Sequence, residues 1–85
     1  MEVVSSTEAQ EDLAHWKKTN NVVILKKLRA LIESITENPY AGIGKPELLK
    51  HNLAGCWSRR INQEHRIVYE IIGDVIHILS LKGHY

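Results

Sequence analysis

The sequence predicts an α+β fold in which an N-terminal αα-hairpin packs on a small, mainly antiparallel twisted β-sheet. Three observations predict it. Apolar residues recur at helical spacing between Ala9 and Ile35. At Pro39 that period gives way to short β-type runs that occupy the rest of the chain. The turns between those runs, "NLAG", "NQEH" and "GD", are too short for crossovers, so consecutive strands must be antiparallel neighbours.

Taken in order, "MEVV" is short and β-branched and reads as a brief first strand. Ser5, with Glu8 three residues on, has the form of a capping box opening a helix whose Ala9, Leu13 and Trp16 share one face. "KKTNN" closes that helix. A second helix is expected from Val22 to Glu37, with Ile24, Leu28, Leu31, Ile32 and Ile35 as its buried stripe and Lys26, Lys27, Arg29 and Glu33 in water. Asn38, preceding Pro39, is biased out of the helical region and ends it. After the Gly/Pro-rich loop "NPYAGIGKP", strands are expected over Glu47–His51, Cys56–Ile61, Arg66–Ile72 and Val75 to about Lys82.

Eighty-five residues, 44% apolar and 25% charged, suit one domain over 1–85 with a single modest core, and neither disorder nor a membrane class. The start "MEVVSS" lacks a basic n-region, and "VVIL" falls far short of the roughly 20 apolar residues of a membrane span. A lone cysteine, Cys56, permits no internal disulfide and fits a reducing cytoplasm. The formal charge of +1 conceals an asymmetry: between Lys45 and Arg66, the cations Lys45, Lys50, Arg59, Arg60 and Arg66 face only Glu47 and Glu64. Such a cluster is a candidate footprint for an anion, nucleic acid included, or else the decoration of a solvated sheet face.

Strand connectivity adds chemistry to that charge. If His51 pairs with Cys56, Glu47 lies opposite Arg60. The next turn returns at Arg66, and pairing Ile72 with Val75 sets Arg66 opposite Leu81, with the chain continuing to His84 and Tyr85. Three hairpins thus deliver Glu47, Arg60, Arg66, His84 and Tyr85 to one end of one sheet. A carboxylate can accept a proton, an imidazole can donate one, and guanidiniums can hold charge developing on a phosphoryl oxygen. In RNA the neighbouring 2′-hydroxyl is the nucleophile, so positioning and electrostatics suffice.

Taken singly, Glu47 reads as a surface acid and His84 as an ordinary terminal residue; in combination they read as an acid–base pair. Arg60 and Arg66 have a second reading as ion-pair partners of Glu47, Glu64 or Glu70. Tyr69 belongs in the core, while Trp57 suits either core or base stacking. His51, His65 and His77 show no i, i+4 spacing and no paired Cys/His, so no metal and no cofactor is expected. "GIGKP" opens no helix and is no phosphate-cradling loop, and neither helix offers a basic DNA-reading face.

The stretch "GKPELLKHNLAGCWSRRINQEHRIVY", followed by the terminal "GHY", resembles the YoeB (Txe) toxins of bacterial type II toxin–antitoxin systems, within the RelE/ParE superfamily. The resemblance implies a single RelE-like toxin domain acting as a metal-independent endoribonuclease that cleaves mRNA in the ribosomal A site and stops translation. It further implies Glu47 as general base, His84 as general acid, Arg66 as stabiliser of the pentacoordinate phosphate and Tyr85 as an orienting group, with Lys50 and Arg60 on phosphates. Lys45 and Arg59, from the same basic stretch, complete the substrate-binding set. A YefM/Phd-type antitoxin and a second copy of the chain are the implied partners. "VVSSTEAQ" departs from the pattern in lacking the aromatic residues that relatives often carry there. Two further classes stay open: a ParE-like gyrase inhibitor, against which the Glu47, Arg66, His84, Tyr85 set argues, and an RNA- or ribosome-binding module without catalysis, for which salt-sensitive binding without cleavage would speak.

Overall fold

The computed structural model describes residues 1–83; the expectations for His84 and Tyr85 lie outside them. Its elements are β1 (Glu2–Ser5), α1 (Thr7–Lys18), α2 (Val22–Glu37), β2 (Glu47–Leu48), a 3₁₀ turn (His51–Leu53), β3 (Trp57–Arg60), β4 (Arg66–Ile72) and β5 (Val75–Ser80). The strands form one sheet in the order β1-β5-β4-β3-β2. Among the described residues only the β1–β5 pair is parallel, and the other three pairs are antiparallel; the helix pair carries the chain from β1 at one edge to β2 at the other.

Helix α2 has the expected bounds, and its stripe is buried through Ile24, Leu28, Leu31 and Ile35, with Ile32 packed alongside. Asn21 caps it by accepting from the Ile24 N–H at 3.1 Å. The cap of α1 corrects the sequence reading by one residue. Ser6 accepts from the Ala9 N–H at 3.0 Å, whereas Ser5 is the last residue of β1. Because Ser5 pairs with Ile78 in the parallel ladder, its backbone is committed to the sheet and the helix starts one position later.

Both helices cover one sheet face. On it lie Ile67 and Tyr69 of β4 and Ile76 and Ile78 of β5, all buried with Ala9, Trp16 and the α2 stripe. Tyr69 is therefore in the core, and Trp57 packs against it while its ring meets Tyr40 at 5.2 Å. Arg60, Arg66, Ser58 and Glu70 alternate with these residues and belong to the other, uncovered face.

Two registers differ from expectation. Glu47 lies opposite Ser58, not Arg60, because the chain inserts the 3₁₀ turn after β2 and a two-residue strand replaces the five-residue one. A shift of two preserves the face but moves Glu47 along β3. In the last hairpin Ile72 pairs with Val75 as expected, but a bulge intervenes: Tyr69 pairs with Ile78 and Val68 with Ser80, leaving Leu79 extra. The bulge reverses the alternation, so Leu81 enters the core rather than facing Arg66. Helix α1 satisfies the backbone there. Ser6 donates to the Leu79 carbonyl at 2.7 Å, the Trp16 indole to the Leu81 carbonyl at 2.9 Å, and Asp12 accepts from the Leu81 N–H at 2.9 Å.

Candidate active site

Glu47 and Arg66 meet on the uncovered face. The Arg66 guanidinium lies 3.5 Å from the Glu47 carboxylate and donates to the Ser58 hydroxyl at 3.3 Å. Ser58, fully buried, reaches Arg66 from the ladder position opposite Glu47, two residues from Arg60, the partner of Arg66. The carboxylate side chain remains 61% exposed, against 18% for the arginine. The arrangement is an ion pair whose exposed carboxylate leaves room for a ligand, and a carboxylate beside an oriented guanidinium has the chemistry to accept a proton and to hold an anion.

Gly83 is tethered to the start of β4, at Arg66. The Arg66 N–H donates to the Gly83 carbonyl at 2.8 Å, and the Gly83 N–H donates to His65 Nδ1 at 2.9 Å. Both polar groups of Gly83 are thereby held by Arg66, the first residue of β4, and His65 just before it. His65 is itself oriented, with Nε2 3.2 Å from Glu64 and its ring edge-on to Trp16 at 4.8 Å. Sequence reasoning missed His65, Ser58 and Asp12 as positioning groups. For His65 the signal was its place directly before Arg66; for Asp12 and Ser58 nothing local marks the role.

The basic set divides. Arg60 and Lys45 are exposed, and Lys50 is exposed just beyond β2. Arg59 is the correction: it lies on the helix-covered face and is fully buried, spending its guanidinium on five partners. It donates to the Tyr69 hydroxyl at 3.1 Å, the Ser34 hydroxyl at 2.7 Å, and the carbonyls of Asn38 (2.6 Å), Ala41 (3.1 Å) and Ile43 (3.2 Å). With its donors spent, it holds loop 38–44 rather than a phosphate. That loop ends in Lys45-Pro46-Glu47, so the buried arginine fixes the approach of the proposed base.

Burial raises the Tyr69 phenol above 10.0, with the Arg59 hydrogen bond and charge opposing. Burial, with Glu70 adding to it, raises the Cys56 thiol above 9.0. Both groups are therefore neutral at physiological pH. Among the described residues no three His, Cys, Asp or Glu side chains converge, and no helix is long and apolar enough to cross a membrane.

Similarity to known proteins extends over the same architecture. A family model described as the YoeB-like toxin of bacterial type II toxin–antitoxin systems matches residues 5–85. The toxin YoeB of Escherichia coli (strain K12) is 42% identical over 85 residues, covering all of both chains. The solved structure of a YoeB/ParE toxin from Agrobacterium tumefaciens superposes with a TM-score of 0.94 at 37% identity, again over the whole of both chains. Staphylococcus aureus YoeB, 44% identical, is known both in a heterotetrameric YoeB–YefM complex (TM-score 0.89) and as a dimer (TM-score 0.90), each match covering all of this chain and 98% of the other. With a helix pair on a five-stranded mixed sheet and full-length identity of this order, the chain belongs to the YoeB-like toxins of bacterial type II toxin–antitoxin systems.

Proposed function

We propose that the protein is an endoribonuclease that cuts mRNA in the ribosomal A site. One observation carries the reading: the exposed Glu47 carboxylate lies 3.5 Å from the Arg66 guanidinium, and the backbone of Arg66 binds Gly83, the residue immediately before His84. Glu47 removes the proton of a 2′-hydroxyl, the 2′-oxygen attacks the adjacent phosphorus, and the P–O5′ bond breaks as His84 protonates the departing 5′-oxygen. A 2′,3′-cyclic phosphate and a 5′-hydroxyl result, with no metal in the scheme. Arg66 stabilises the charge on the equatorial oxygens, a term that mutagenesis elsewhere values at about 3–4 kcal/mol per donor. Tyr85 orients the substrate, and Lys45, Lys50 and Arg60 take its phosphates.

The similarity to YoeB of S. aureus supports a YefM/Phd-type antitoxin and a homodimer as partners. It also supports residues 1–85 acting as a single toxin domain in the cytoplasm, where ribosomes are. Primer extension on mRNA translated in a purified system tests the reading. Wild type gives discrete cuts at A-site codons, and Glu47→Ala and His84→Ala lose them by about 100-fold or more. Translation arrest without cuts would identify a binding inhibitor instead, and no effect on translation would point to gyrase.

A further inference from the structure

Beside the Glu47–Arg66 pair, a concavity of about 360 Å³ opens between α2, the loop before β2 and the β3–β4 turn. Lys27, Lys45 and Arg60 line its walls, Ile61 its floor, and Asn62 and Gln63 its rim. We propose that this groove is a phosphodiester site for a nucleotide flanking the one that is cut, with Lys27, contributed by α2, as the cation that reaches it from outside the sheet. The inference rests on the ribonuclease reading for the identity of the strand.

Charge is the first argument. No acidic residue lines the groove, and none of its three cations is in an ion pair among the described residues, whose two salt bridges use His65 and Arg66. Three such cations around one depression make it favourable for an anion. Rigidity is the second. The Arg60 N–H donates to the Gly44 carbonyl at 2.6 Å, and a Cβ on Gly44, whose φ is +83°, would meet Leu31 Cδ2 at 2.6 Å. The close approach thus requires glycine and fixes the backbone just before Lys45 on that of Arg60. Asn62 is fixed as well: its side-chain oxygen accepts from the Glu64 and His65 N–H groups at 2.8 and 2.7 Å, which turns its NH₂ into the available donor.

Continuity is the third argument. Lys45 stands two residues before Glu47, and Arg60 lies directly opposite Arg66 in the ladder, so a strand seated at the pair passes into the groove. The volume lies at the low end of the roughly 300–1,000 Å³ of small-molecule sites, the scale of one nucleotide unit. Apolar floor and side-chain amides suit a sugar and a base edge as the cations suit a phosphate. An acidic peptide would use the cations alone.

The test is fluorescence anisotropy of the full chain with a short 2′-O-methylated RNA, which cannot be cut, across about 50–200 mM KCl. For single strands each phosphate contact contributes about 0.7 to the slope of log K against log salt. Lys27→Gln should weaken binding severalfold and lower that slope by about 0.7, and Lys27→Arg should restore it. Lys26→Gln, the same charge change on the exposed neighbour, should leave the slope near wild type. Equal slopes for the Lys26 and Lys27 variants would overturn the proposal, as would loss of binding to a poly-glutamate peptide with RNA binding intact. Should wild type cut no mRNA while the Lys27 effect persists, the phosphodiester site stands and the ribonuclease reading falls. If wild type cuts and Lys27→Gln matches Lys26→Gln, the reverse holds.

Discussion

Arg59 and Arg60 are neighbours in sequence and opposites in role. Alternation along β3 sends Arg60 to the uncovered face and Arg59 beneath the helices, where its guanidinium gathers three carbonyls and two hydroxyls. Lysine at this position keeps the charge but lacks the planar fork that reaches several acceptors at once. Arg59→Lys should therefore lower unfolding stability by at least about 3 kcal/mol, the worth of one or two charge-assisted hydrogen bonds, as read from urea midpoints. Its salt slope for RNA should stay at the wild-type value. A variant of native stability that had lost RNA affinity would return Arg59 to the phosphate contacts. "WSRR" offers no local sign of which arginine turns inward, because both are cationic and the helix-covered side is set by elements far along the chain.

At the scale of elements, the bulge in β5 decides how the chain leaves the sheet. "VIHILSLKG" carries apolar residues at 76 and 78 and then at 79 and 81, a change of parity that marks the extra residue once it is known where to look. Helix α1 converts that irregularity into an anchor through Ser6, Asp12 and Trp16. Trp16→Phe retains the apolar ring and removes only the indole donor to the Leu81 carbonyl. It should cost about 1–3 kcal/mol by leaving a buried acceptor unpaired. Since Leu81 lies two residues before Gly83, amide hydrogen exchange should accelerate at Gly83 more than in the centre of β4. Uniform acceleration would mean that Trp16 serves the core alone.

For the whole molecule, two buried acids tie stability to alkaline pH. The folded state holds the protons of Tyr69 and Cys56 more tightly than the unfolded chain, whose values are near 10.0 and 9.0. Between the unfolded and folded values the native state binds more protons, so stability falls as pH rises. The stabilising contribution is complete below about pH 9 and is lost progressively above it. Urea midpoints measured from neutral pH to about pH 11 should show this decline. Tyr69→Phe should flatten its upper part while lowering stability at neutral pH, because the phenol donates to the Pro39 carbonyl and accepts from Arg59. A Tyr69→Phe variant with an unchanged alkaline profile would exclude the phenol as the titrating group.

Much of this architecture is legible in the amino-acid order. The α2 stripe, its stop at Asn38, the bounds of β4 and the Gly73-Asp74 turn all follow from local periodicity and backbone restriction, which act over a few residues and need no partner. Short turns also set Glu47, Arg60 and Arg66 on three adjacent strands, without fixing the register of the first pair. Tertiary structure alone decided the rest: Glu47 opposite Ser58, Leu81 in the core, Arg59 buried and Gly83 held by His65 and Arg66. The physical reason is that a strand's pattern distinguishes its two faces but not which one will be covered. An inserted turn, or a bulge stabilised by helix α1 more than sixty residues away, shifts that pattern with little local signal.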